Sequence, residues 1–215
     1  MASFKLGLED LKPYAIKAGD NKAFPSTGQK IIKADKLQAF EVMVVINRDD
    51  NFPFDYKYKD EQGNIVVDPD IGDTHKLAGF HLNAWPWYNA QDTLLFGWRQ
   101  LNEVTLEFLP YINKAGKFEL GNGVKSRGND IIRAYYRRVK KGSKQWEITI
   151  KNDTSGVVAE SVMQTRINGF WFFGTRVRKM SNIWHGGAND DKNTPFGGVA
   201  PVPIKIGLAM DIITY

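Results

Sequence analysis

Period-two alternation is the feature that most restricts what this chain can fold into. In QWEITIKN, Trp146, Ile148 and Ile150 fall on one side and Glu147, Thr149 and Lys151 on the other. That is the pattern of a strand with one face on a core and one in water. The same period runs through FDYKYK, where Phe54, Tyr56 and Tyr58 alternate with Asp55, Lys57 and Lys59. In NEVTLEFLPYI it places Val104, Leu106 and Phe108 together. A helix would need apolar residues three and four apart over ten or more positions, and no stretch sustains that. LGLEDLKPYAIKAG comes nearest, and predicts one or two helical turns before Pro13 interrupts them.

Turn signals cut the alternating runs into hairpins. EQGN follows the Phe54 to Lys59 run, Lys114 to Gly116 divides YINKAGKFEL, and KKGSK separates IIRAYYRRV from QWEITIKND. The β-branched run Val42 to Ile46 stops at Asp49 and Asp50, and VAESVMQTRINGFWFFGTRVRKM is broken at Gly169 and Gly174. VPIKIGLAMDIITY reads as a last strand within the sheet. Eight or more short strands between Gly-, Pro- and Asn-rich turns predict an all-β fold, an antiparallel β-sandwich or jelly roll with long irregular loops and little helix. No repeat of fixed period and no linker interrupts the chain, so residues 1–215 are expected to form a single β-sandwich domain. WHGGANDDKNTPFGGVAPVP is the one long irregular stretch, and loops of that length are commonly functional.

The 215 residues include no cysteine, so disulfide scaffolds, thiol chemistry and zinc ribbons are excluded. A chain of this length buries a substantial core without them. The opening residues contain no apolar run of signal-peptide or membrane-spanning length, so no membrane partner is expected; the compartment stays open. The formal net charge of +5 is spread among mixed acids and bases. It permits an anionic partner, nucleic acid included, without requiring one.

Three clusters offer chemistry. In GFHLNAWPWYN, a strand would put His81, Asn83, Trp85 and Trp87 on one side and Phe80, Leu82 and Ala84 on the other. Indoles with an imidazole and an amide suit a sugar, whose apolar face stacks on aromatic rings while polar neighbours take its hydroxyls. Pro86 favours an edge position. The same residues also suit a packed core. In RAYYRRVK, Arg133, Tyr135 and Arg137 alternate with Ala134, Tyr136 and Arg138. Together with Arg166, Arg176, Arg178 and Lys179 they predict a basic sheet face for carboxylate, sulfate or phosphate, or else a solvated outer face. Two acidic loops, Asp68, Asp70 and Asp73 in VDPDIGD and Asp190 with Asp191 in GGANDDKN, have the oxygen-rich make-up of a Ca²⁺ site. They lack the terminal glutamate of an EF-hand, and Asp and Asn also form ordinary turns.

No nucleophile elbow, HExxH, phosphate-binding loop or dinucleotide fingerprint occurs. His75 and His185 read as loop residues without a chemical role. The expectation is therefore a non-enzymatic, lectin-like module that binds a glycan, neutral or anionic, with Ca²⁺ or no cofactor. A homo-oligomeric structural protein such as a viral jelly-roll coat subunit is one alternative. A lyase acting on an acidic polysaccharide is another, and would draw on His81, Tyr135, Arg137, Gln164 and Arg166.

Overall fold

The structure, a computed structural model, describes residues 4–47, 57–59, 62–67, 73–82, 92–102, 104–166, 176–186, 200 and 202–215. After a 3₁₀ turn at Leu8–Asp10, the strands in chain order are β1 (Lys12–Ile16), β2 (Ala23–Phe24), β3 (Ile31–Lys33), β4 (Leu37–Asn47), β5 (Lys57–Lys59), β6 (Ile65–Val67), β7 (His75–His81) and β8 (Asp92–Asn102). There follow β9 (Thr105–Lys114), β10 (Lys117–Leu120), β11 (Val124–Ser126), β12 (Ile132–Arg138), β13 (Gln145–Asn152), β14 (Val158–Gln164), β15 (Arg176–Lys179) and β16 (Ile204–Thr214). Strand accounts for 61% of the described residues, which contain no α-helix.

Two antiparallel sheets carry the fold. The first runs β14-β13-β12-β4-β16-β1-β2. The second runs β10-β9-β8-β7-β15-β3, with β11 also paired to β9, and β5 and β6 form a separate hairpin. The predicted hairpin arms pair as expected: β12 with β13 and β9 with β10, the latter turning through Ala115 (φ 51°) and Gly116 (φ 82°).

The core lies between the sheets and follows the alternation. Trp146, Ile148 and Ile150 are buried, as are Phe80 and Leu82. Phe40 stacks on Tyr136 at 4.3 Å and meets Phe80 edge-on at 5.2 Å, so rings from both sheets interlock. The Tyr136 hydroxyl donates to the Leu95 carbonyl at 3.0 Å, which satisfies the one polar atom of that buried ring.

The N-terminal segment makes one helical turn ahead of Pro13, as expected. Only the 3₁₀ turn is helical, and Pro13 lies within a strand rather than ending a helix. β2 pairs only with Ala15 and Ile16, so β1 presents an open edge at Pro13, where a missing N–H costs nothing. Ahead of it, residues 5 and 6 cross the outer face of the first sheet. Their amides donate to the buried Glu41 carboxylate at 2.7 and 3.2 Å.

Candidate functional site

The expected basic face divides between the two sheets. Arg133, Tyr135 and Arg137 face outward from β12 in the first sheet, whereas Arg176 and Arg178 belong to β15 in the second. The separation is topological, because β15 pairs with β3 and β7 and never with β12. The forks on β12 are also occupied. Arg133 binds Asp153 at 2.5 Å, lies 3.4 Å from Glu41 and donates to the Leu6 carbonyl. Arg137 donates through Nε to Glu147 at 3.1 Å. The Tyr135 ring meets Phe4 edge-on at 6.3 Å. Arg166 stands 3.9 Å from Asp92 rather than beside these residues, and Gln164 ends β14 at the opposite edge from β1.

His81 belongs to a different assembly. Register places Arg178 opposite His81, His81 opposite Thr93, Thr93 opposite Asn113, and Asn113 opposite Phe118. Five strands thus contribute to one cross-strand row on the side of the second sheet away from the core. Its middle, Thr93 and Asn113, is buried, while Phe118 at the β10 end is 68% exposed. Two residues along, Tyr111 occupies the same face, with its ring stacked against Phe118 at 6.2 Å.

The row is polar and internally ordered. The Tyr111 hydroxyl donates to Asn113 Oδ1 at 3.2 Å, and the Asn113 main-chain N–H donates to Thr93 Oγ1 at 3.1 Å. Burial and then the nearby Arg178 charge depress the His81 pKa to about 4, so its ring is neutral at neutral pH. Its Nδ1 is buried without a hydrogen-bond partner among the described residues. Lys76 lies on the same face, its Nζ 5.7 Å from the Tyr111 ring centroid and 3.4 Å from the Gly186 carbonyl. Burial lowers its pKa, and Asp73 opposes that shift. Burial raises the Tyr111 phenol, with the Asn113 hydrogen bond acting against it and Asp73 with it. A neutral, half-buried imidazole, a half-buried phenol and an exposed phenyl ring can bind hydroxyl groups and cover an apolar surface at once.

Of the expected calcium ligands, Asp73 is described and acts electrostatically on Lys76 and Tyr111. Among the described residues no group of three or more His, Cys, Asp or Glu side chains could hold a metal ion. Asp68, Asp70, Asp190, Asp191, Asn83, Trp85 and Trp87 lie outside the described residues.

His75 corrects the loop assignment. It opens β7, is fully buried, stacks on His185 at 4.1 Å and accepts the Gly186 N–H at 2.8 Å. Burial, the facing imidazole and Lys76 push its pKa well down. Thr93, Asn113, Tyr111 and Lys76 were not singled out in sequence. Only strand register brings them beside His81.

By fold, the chain is a two-sheet antiparallel sandwich of the jelly-roll kind. No protein-family model matches the sequence, and no curated protein matches it. Among solved structures it is similar to the marine PL-14 alginate lyase from Aplysia kurodai, with 10% identity over 95% of this chain and 83% of that one and a TM-score of 0.52. It also overlaps the basic winged bean lectin with Tn-antigen (10% identity, 97% and 95% of the two chains, TM-score 0.45). A Bacillus licheniformis β-glucanase gives 8% identity, 96% and 83% coverage and a TM-score of 0.42. At such identities the likeness is one of fold. Among the described residues, no helix is long and apolar enough to cross a membrane.

Proposed function

We propose that the protein binds glycans through the outward face of its second sheet. The observation that carries this reading is the row Arg178, His81, Thr93, Asn113 and Phe118, which ends in an exposed aromatic ring stacked on Tyr111. His81 and Tyr111, the half-buried polar groups of this face, serve the hydroxyls, and the exposed ring at the edge serves the apolar face of a sugar. Lys76 and Arg178 add positive charge, which favours an acidic glycan. Asn83, Trp85 and Trp87 follow His81 directly in sequence, and the proposal includes them as ligand-facing residues.

Affinity electrophoresis against a polyuronate such as alginate and against a neutral β-glucan tests this. Binding is expected to the polyuronate above the neutral polymer. Phe118→Ala is expected to weaken it about tenfold, since stacking contributes about 1–1.5 kcal/mol. The melting temperature should hold, because the ring is exposed. Retention by neither polymer, or wild-type retention of both Phe118→Ala and His81→Ala, would overturn the reading.

One observation favours a second reading, a polysaccharide lyase. Lys76, with a depressed pKa, sits beside the phenol of Tyr111, and β-elimination from a uronate needs a base and an acid so placed. Incubation with alginate should then yield ultraviolet-absorbing unsaturated ends that Lys76→Ala abolishes; retention without such products supports the binding module alone.

A further inference from the structure

A second cavity opens where the edges of the two sheets face each other, with β1 and β16 on one side and β7 and the end of β15 on the other. Its volume is about 490 Å³, within the range of small-molecule sites. Leu77, Leu208 and Met210 supply apolar lining, and Lys5, Lys12, Lys179 and Tyr14 supply polar lining. Register explains why lysines point there. Lys12 pairs with Leu208 and Lys179 with Phe80, both core-facing positions, so each ammonium is directed between the sheets.

Lys179 is the informative residue. It is half-buried, and its Nζ donates to the Thr27 carbonyl at 2.7 Å but forms no ion pair among the described residues. Burial lowers its pKa, and the Lys12 and Lys30 charges lower it further. Asp10 and Asp211 also line the cavity, yet neither pairs with it. Asp10 accepts the Gly7 N–H at 2.8 Å and Asp211 accepts the Ile212 N–H at 2.8 Å. A half-buried cation ordinarily has a counter-charge, whereas the charges that act on Lys179 among the described residues are those of Lys12 and Lys30.

We propose that this cavity binds a small organic anion of about monosaccharide size, carrying one carboxylate or phosphate. Lys179 holds the anionic group, Lys12 and Lys5 flank the entrance, and the apolar lining takes the body of the ligand. The site is separate from the glycan face: Arg178 points outward from β15 while its neighbour Lys179 points inward.

Calorimetry on the full chain, with glucuronate, a hexose phosphate and neutral glucose at matched ionic strength, tests the assignment. At least one of the two anions should bind and glucose should not; which anion binds tells a carboxylate from a phosphate site. Lys179→Met keeps the stem and removes the charge, and should weaken binding about tenfold or more, the worth of a charge-assisted hydrogen bond. Lys12→Met, at an exposed position, should weaken it by a smaller factor and decides the matter if Lys179→Met fails to fold. Failure of both anions to bind the wild type, or undiminished binding by the folded variants, would overturn the proposal. Polyuronate retention is unaffected by either variant, so the two sites fail separately.

Discussion

Replacing Trp146 by alanine tests how the core handles a buried cation. The indole is fully buried, and its Nε1–H donates to Thr165 Oγ1 at 3.2 Å. The Arg138 guanidinium lies 4.9 Å from the ring centroid. Arg138 is only 3% exposed, and its Nε and Nη2 have no hydrogen-bond partner among the described residues. Burial pushes its pKa down, while Tyr215 and Asp35 push it back up. The indole face is therefore the direct contact that compensates a desolvated charge, with Tyr215 and Asp35 acting electrostatically. Truncation should cost about 3–5 kcal/mol for the cavity. Stranding the guanidinium adds about 1–2 kcal/mol, the range for a desolvated cation–π contact. The second term can be isolated in a double-mutant cycle with Arg138→Met, which keeps the stem and removes the charge. Urea unfolding of the four proteins gives each free energy by linear extrapolation. Trp146→Ala should cost about 1–2 kcal/mol less in the Arg138→Met background. If the two substitutions add within about 0.5 kcal/mol, the indole does not compensate the arginine and the account is wrong.

Gly79→Ala should destabilise by at least about 2–3 kcal/mol. Gly79 has φ +135°, and a Cβ there would lie 2.2 Å from the Leu94 carbonyl oxygen and 2.7 Å from Leu95 Cα, backbone atoms that cannot yield. A wild-type urea midpoint would contradict it. Glu41→Ala should cost about 2–3 kcal/mol and abolish hydrogen-exchange protection of the Lys5 and Leu6 amides, whose buried acceptor it removes; retained protection would show another anchor. His81 binds its proton more weakly folded than unfolded, with a folded pKa of about 4 against the usual 6.5. The unfolded chain therefore takes up the proton first as pH falls. The stability tied to the neutral ring is complete above about pH 6.5 and is lost toward about pH 4. His81→Gln should flatten the melting temperature across that window, and parallel wild-type and variant curves would refute the assignment.

Much of the fold was legible because alternation reports burial directly. Trp146, Ile148 and Ile150 face inward and Glu147, Thr149 and Lys151 do not, since a half-buried sheet leaves no other solution. Turn residues located the hairpins for the same local reason. LGLEDL showed its single helical turn, but the strand after it was not legible, because pairing with β16, almost two hundred residues away in sequence, is what draws Lys12–Ile16 into the sheet. His75 was illegible for a similar reason. VDPDIGDTH reads as loop, but pairing with Trp98 and stacking on His185 pull its last residue into the core.

The candidate sites were less legible because they are properties of register rather than of segments. His81, Thr93 and Asn113 come from three strands, and nothing local to any of them announces the row. The bulge between Lys76 and Ala78 moves the face on which β7 residues emerge, so counting alternate positions back from His81 fails at Lys76. Arg178 and Lys179 make the point at its sharpest. Adjacent in sequence and equally basic, they look like one patch. The pleat sends Arg178 to the outward row beside His81 and Lys179 to the cavity beside Lys12. A slip of one residue in the pairing of β15 with β7 would exchange them, placing the arginine between the sheets and the lysine in the outward row. Val177, fully buried and paired with the core residue Ile32 of β3, holds the register that keeps the two cations, and so the two sites, apart.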